Sequence, residues 1–364
     1  MVAGEGPTSE LSPEVSTTPA DAAPDLPPTR RRITTRSVVQ AVVGARSMSW
    51  LAKLPLWTGT LVLGYHRMHR EGEGTEFDPG ALSATPAALA DQLEFISRYF
   101  EVVSPAEIAE QPESSRRRVV ITFDDGYRDN YDLALPVLRA HGVPATFFLA
   151  TRRLDAPSVP WWDELAWMVK QSARHELEPG EWLDGSIRLE GDRRGAIRRL
   201  ADAFKTLPSE RTDAFLEFCG EAAGTGRCDP ERGRELWMTW EMAAELSDAG
   251  MTIGGHSASH PVLGRSNPDV QRREIEECAA RLDEELGIPM RHFAYPVGLP
   301  TSFDDVTRRI LEEVGVELAF SLYGGYVPAG RFDPYDVPRT SVSTGEGAPS
   351  FRARLALPRL FARW

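Results

Sequence analysis

Val119-Val120-Ile121-Thr122-Phe123-Asp124-Asp125-Gly126-Tyr127 is the stretch on which the reading of this chain turns. Its β-branched and aromatic run reads as a buried strand. The strand exits into two adjacent carboxylates and then a glycine, which permits a sharp turn or a close approach to a ligand. Two acids at the end of an apolar strand are costly to bury unless a metal, a cation or a shared proton compensates. Helix capping by Asp125 accounts for one of them and leaves Asp124 unexplained. The stretch therefore points to chemistry at a strand end.

Outward from it, residues 61–66, 101–103 and 145–149 read as strands. Helices are expected over 86–99, where Leu89, Leu93 and Ile96 share a face, from 105 onward, and over 130–141. Residues 155–235 break this rhythm. They are rich in Trp, Arg and Glu, carry helical patterns at 162–170, 193–205 and 209–222, and read as a mainly helical insertion. Alternation then resumes with helices at 239–249, 268–286 and 303–314 and strands at 251–256, 292–295 and 318–322. Strands alternating with helices predict an α/β fold built on a parallel sheet or barrel. No internal repeat is present.

The 364 residues, 41% hydrophobic, suffice for one large domain or two ordinary ones. The net charge of −13 is unevenly spread. Residues 26–60 hold six basic side chains and no acid, residues 350–364 hold four and none, and the first 25 hold five acids and no base, so residues 61–349 carry −18. An acidic body argues against nucleic acid as the main partner. Cys219, Cys228 and Cys278 form neither a disulfide framework nor a zinc-finger spacing. The N-terminus shows no secretory pattern and no run reaches transmembrane length, so the expected location is the cytoplasm.

The domain is expected over 58–345. Residues 1–33 read as disordered and 34–57 as an amphipathic helix, completing an N-terminal region 1–57; 346–364 form a basic, aromatic tail. Both ends suit peripheral contact with the cytoplasmic face of a membrane through Trp50, Trp57 and Trp364. Packing of both segments on the acidic body is the competing reading. No motif nominates a protein partner.

A second signal is His256-Ser257-Ala258-Ser259-His260, at the end of another expected strand. Two histidines four apart reach one ion if the strand runs into a helical turn. In barrel-like α/β folds the C-terminal strand ends share one face. Asp125, His256 and His260 then make a three-ligand divalent site with room for water. Asp124, beside it and kept ionised, can take the proton of a water at that metal. His66 is the best-placed acid for the leaving group, with His69 in reserve. A third strand end, Phe293-Ala294-Tyr295-Pro296-Val297-Gly298, is expected to wall the site, with the Val297 N–H facing a developing oxyanion.

These motifs resemble the polysaccharide deacetylases of carbohydrate esterase family 4. Thr122-Phe123-Asp124-Asp125-Gly126 matches the family's first motif, His256–His260 its second, and Tyr295-Pro296-Val297-Gly298 part of its third. The resemblance covers about 60–155 and 236–341. It implies a distorted, incomplete (β/α) barrel and removal of an N-acetyl or similar acyl group from an amino-sugar glycan or glycolipid. It also implies Asp124 as base, and zinc or a similar divalent ion on Asp125, His256 and His260. Ala294 stands where the family usually has an arginine, and no histidine follows His292. Both departures resemble the circularly permuted branch typified by bacterial poly-N-acetylglucosamine deacetylases, and Tyr65-His66 fits that branch, implying His66 as general acid. Arg339 either replaces the missing arginine or is a surface residue. Deformylation or deacetylation of a small sugar, and glycan binding without catalysis, are the alternatives.

Overall fold

Seven parallel strands close on themselves. The computed structural model describes Met1 and residues 56–109, 117–330 and 332–361. The strands of its main sheet are β1 (Gly59–Tyr65), β2 (Glu101–Val102), β3 (Arg117–Phe123), β4 (Thr146–Leu149), β5 (Thr252–Gly255), β6 (His292–Ala294), β7 (Leu318–Ser321), β8 (Val327–Pro328) and β9 (Val337–Ser341). The ring runs β1-β3-β4-β5-β6-β7-β9 and back to β1, with β2 beside β3 and β8 antiparallel at the edge of β1. Seven strands instead of eight make an incomplete barrel. The ring is thinnest between β5 and β6, which pair at Phe293 and Gly255.

Alternation along the strands explains why they read as continuous apolar runs, since both faces are covered. Val119, Ile121 and Phe123 face the outer core beneath the helices, while Val120 joins Val62, Phe148, Ala294, Phe320 and Val337 inside the barrel. The longer helices are α1 (Pro86–Tyr99), α2 (Leu135–His141), α3 (Trp161–Gln171), α4 (Arg193–Phe204), α5 (Thr212–Ala223), α6 (Trp240–Asp248), α7 (Pro268–Leu286), α8 (Asp305–Val314) and α9 (Ala348–Ala356), with short turns of helix at Ala106–Ala109 and Thr151–Asp155. α1 and α7 begin where the sequence signals it. Thr85 and Asn267 accept the N–H groups of Ala88 and Val270, and a proline follows each cap. The helix expected over 130–141 opens instead with a π-helical turn, Asn130–Ala134, before α2.

The insertion has a core of its own. Leu165, Met168, Leu200, Phe204 and Phe215 cluster apart from the barrel core, and Tyr127 belongs to that second cluster. A small antiparallel pair, Glu176–Leu177 with Ile187–Arg188, was not expected from the sequence.

Two expectations are corrected. β9 falls where no strand was expected, because Val337-Pro338-Arg339 shows no strand period. Trp57 is not available to a membrane. It is 3% exposed, and its Nε1 donates to the carbonyl of Leu355 at 3.1 Å. Over its described part the tail follows the competing reading, packing on the body, since α9 buries Phe351 and Leu355 in the barrel core. Trp50 and Trp364 lie outside the described residues. Among the described residues no helix is long and apolar enough to cross a membrane.

Candidate active site

The register between β1 and β3 builds the first half of the site. Tyr65 is paired with Phe123, and the N–H of Asp124 donates to the Tyr65 carbonyl at 2.9 Å. The next residues on the two strands, His66 and Asp124, must then lie side by side, and Nε2 of His66 is 3.9 Å from Oδ2 of Asp124. The His66 backbone is held from both directions, its N–H by Ser83 Oγ and its carbonyl by Asn130 Nδ2. Asn130 sits in the π-helical turn, a feature often found beside functional sites.

Asp124 is clamped from across the barrel. Arg339 donates to both of its carboxylate oxygens, to Oδ1 at 2.6 Å and Oδ2 at 2.8 Å, and also to Thr122 Oγ1 and the Ser321 carbonyl. Arg339 is 0% exposed, which excludes the surface reading. Burial alone would raise the Asp124 pKa, but the Arg339 guanidinium, helped by His256 and His66, holds it below the usual carboxylate range.

The second half of the site is made by left-handed turns. Among described non-glycine residues, positive φ occurs at Asp125 (76°), Ser257 (62°), His260 (66°) and Val297 (65°). Such conformations cost on the order of 1–3 kcal/mol each and persist only when the surroundings enforce them. All four belong to the three strand-end motifs. The 256–260 segment is therefore not the helical turn expected. Its imidazoles meet because two left-handed residues reverse the chain and the Ser257 hydroxyl accepts the N–H of His260. Gly298 follows Val297 at φ 68°, and a Cβ there would sit 2.7 Å from the Leu322 backbone, so only glycine fits.

Asp125, His256 and His260 are all buried, with one candidate ligand atom from each lying within 4.8 Å of the others. Asp125 Oδ1 is 3.3 Å from Nε2 of His256 and 3.4 Å from Nε2 of His260, yet it has no hydrogen-bond partner. His256 donates from Nδ1 to the Ala294 carbonyl at 2.7 Å, which turns Nε2 toward Asp125; burial opposes its protonation, but the Asp125 and Asp124 carboxylates raise its pKa above the ordinary value. Burial, with the neighbouring His256 charge, pushes the His260 imidazole down to about 3, so it is neutral near pH 7. Burial opposes ionisation of Asp125 as well, but His256, His260 and His66 hold its pKa well below the usual range. A carboxylate and two imidazoles around an orphaned buried oxygen are the donor set a divalent ion takes. The free Nε2 with Nδ1 fixed by a carbonyl is the usual outer-shell arrangement of a ligating histidine.

A cavity of about 200 Å³ opens over this cluster, lined by His66, Asp125, His260, Val297 and, from the insertion, Trp161, Trp162 and Lys205. No acceptor among the described residues takes the Val297 N–H. Tyr295 does not wall the site. Its ring stacks on Phe303 in the outer core, and its hydroxyl donates to the Tyr335 carbonyl at 2.9 Å. Strand parity decides this, since Ala294 faces inward and its neighbours face outward. His69 is also outside the cavity, with Nδ1 against the Arg70 carbonyl.

The sequence reading missed Asn130 and Trp162. The Trp162 ring packs on His260 at 4.6 Å, and its Nε1 donates to the Tyr127 hydroxyl, which in turn donates to Asp163. This chain ties the insertion to the turn that carries Asp125. Tyr127, directly after the acidic pair, was the one local hint.

The polysaccharide deacetylase family model matches residues 111–178 and 199–319. The poly-beta-1,6-N-acetyl-D-glucosamine N-deacetylase of Escherichia coli (strain K12) is 30% identical over 127 residues, 32% of this chain and 18% of that protein. The match thus spans about a fifth of that relative's length. Among solved structures, the Streptococcus pyogenes deacetylase PplD in complex with acetate superposes with a TM-score of 0.52 at 17% identity, over 80% of this chain and 96% of the other. IcaB from Ammonifex degensii gives 0.51 at 20% identity, over 82% and 97%. At these identities the structural likeness concerns the fold.

Proposed function

Because this chain belongs to the polysaccharide deacetylase family, we propose that it removes the N-acetyl group from N-acetylglucosamine units of a glycan by metal-assisted hydrolysis. The observation that carries the reading is the orphaned Oδ1 of Asp125 between two imidazole Nε2 atoms, with the Arg339-clamped Asp124 next to it. The E. coli relative's named substrate supports the choice of sugar.

Asp125, His256 and His260 would hold the ion, and zinc suits two imidazoles and one carboxylate. An ion held by these residues would supply Lewis-acid polarisation of the acyl carbonyl and would acidify an attacking water near neutral pH. Asp124 takes the proton from the attacking water. Its bidentate pair with Arg339 keeps it ionised and fixes the direction of its lone pairs. The Val297 N–H donates to the oxygen on which charge develops. His66, half-exposed at the cavity wall, gives a proton to the departing amine nitrogen. Trp161 and Trp162 exclude water from one side of the cavity.

The test is hydrolysis of a panel of N-acetylated saccharides by purified, metal-loaded protein, followed by mass shift, with metal content from elemental analysis. One divalent ion per chain and metal-dependent loss of acetyl are expected. Undiminished turnover by metal-free protein would sink the reading.

A further inference from the structure

We propose that Glu274 is a positioning residue for the metal cluster: its carboxylate, reaching from α7, holds the 256–260 loop in the strained conformation that brings His260 to Asp125 and His256. This rests on the metal-assisted reading above. Left-handed backbone is unfavourable at both Ser257 (φ 62°) and His260 (φ 66°), so something outside the loop must enforce it. The bond within the loop, from the His260 N–H to Ser257 Oγ, closes the turn without anchoring it to the barrel.

Ser259, between the two left-handed residues, carries the outside restraint. Its N–H donates to Glu274 Oε2 and its hydroxyl to Glu274 Oε1, both at 2.7 Å, and its carbonyl accepts from Arg153 Nη2 at 3.3 Å. All three of its polar groups are thus taken, two of them by one carboxylate. Hydrogen bonds to an ionised acceptor are about twice as strong as neutral ones. The rest of the loop is pinned through its backbone. The Ala258 N–H donates to the Glu274 carbonyl, and the carbonyls of Ser257 and Ala258 accept the N–H groups of Thr151 and Arg152. The loop is held between α7 and the short helical turn Thr151–Asp155.

Glu274 can impose geometry because its own place is fixed. It is 6% exposed, and the Arg152 guanidinium lies 3.7 Å from its Oε1, so its charge is not buried alone. Cys278 lies one turn further along the same face of α7. It packs so closely on β5 that a Cβ at Gly255 would sit 2.9 Å from its Sγ. The seat of α7 on β5 is therefore set one turn from the carboxylate, and the carboxylate passes that position on to Ser259. His260 follows directly. Without the carboxylate the strained turn relaxes, and Nε2 of His260 leaves its place 3.4 Å from Asp125 Oδ1.

The experiment measures the zinc affinity of the metal-free full chain by competition with a chromophoric chelator. Thermal unfolding of the metal-free proteins shows that each variant is folded. Glu274→Met is similar in size but offers Ser259 no acceptor, and should weaken zinc binding by about 10–100-fold, the range for losing a group that orients a ligand. Glu274→Gln still accepts the N–H and can donate to the Ser259 hydroxyl oxygen, so it should recover most of the affinity. Glu277→Gln is the control. Glu277 lies on the same helix and pairs with Arg152 at 3.0 Å, and its loss should leave zinc affinity unchanged. Ser259→Ala removes one of the two bonds and should weaken zinc by about threefold to tenfold. If Glu274→Met does not fold, Ser259→Ala decides. Wild-type zinc affinity in the folded deciding variant overturns the proposal. So does an equal loss in Glu277→Gln, which would mark a general weakening of α7. A wild-type chain that binds no zinc removes the metal reading itself, so the two failures are distinguishable.

Discussion

The guanidinium of Arg339 and the carboxylate of Asp124, 215 positions apart in the chain, form a bidentate pair at 2.6 and 2.8 Å in which both partners are fully buried. Removing one partner leaves an uncompensated buried charge, so Arg339→Met should cost about 3–5 kcal/mol. Arg339→Lys should recover little of it, because an ammonium cannot reproduce the planar fork. Combined with Asp124→Leu, Arg339→Met should regain much of the lost stability and none of the activity. Denaturant unfolding of the four proteins measures the coupling, and additive single effects would contradict the pairing.

Asp124→Asn should keep metal content near normal and lower turnover by about 10²–10⁴-fold, the range for a lost general base. The amide preserves the volume beside Asp125 but cannot accept the proton. Elemental analysis alongside the mass-shift assay checks both halves. Loss of the metal would mean that Asp124 acts chiefly as a ligand.

His66→Ala should also slow the reaction by about 10²–10⁴-fold. Substrates with a better leaving group need less protonation of the departing atom. The deficit should therefore be smaller on an activated acetyl ester than on the amide. An equal deficit on both would remove His66 as the acid.

Asp163 gives the protein a pH-dependent stability distinct from its metal site. Burial, only partly offset by Arg67, raises its pKa from 3.8 to about 7. The native state thus holds a proton that the unfolded chain has already released. Stability falls as pH rises from about 4 toward 7 and is flat above. Asp163→Asn should remove that slope and gain on the order of a few kcal/mol at pH 7 relative to the parent's trend. Asp129, raised to about 6 by burial, leaves a smaller slope of the same sign. Unfolding curves across pH 4–8 check this, and an unchanged slope in Asp163→Asn would refute it.

Deleting residues 348–364 should destabilise the barrel. Phe351 and Leu355 are 1% and 0% exposed within its core, and each such side chain contributes about 1.5–3 kcal/mol by burial. The deletion also takes away the carbonyl that Trp57 Nε1 donates to. Thermal unfolding should show a large drop in Tm. An unchanged Tm would mean that this segment is an appendage.

Much of the fold was legible because its signals are local. Residues 86–99 and 268–286 carry a cap, a following proline and an apolar stripe, and α1 and α7 occupy those bounds. Asp125, His256 and His260 could be grouped from residue chemistry and strand-end position alone, since parallel strands bring their C-terminal ends to one face. Arg339 could not be placed. Val337-Pro338-Arg339 lacks a strand period, and its reach to Asp124 exists only once β9 closes the ring against β1, with β3 on the other side. Tyr295 was misplaced because one position of strand parity separates the site from the outer core. The left-handed backbone at Asp125, Ser257, His260 and Val297 is likewise invisible locally, because no non-glycine residue prefers it. The sequence by itself determined that Asp125, His256 and His260 group as a candidate metal cluster beside Asp124. Barrel closure, which only long-range packing enforces, decided how they face one another.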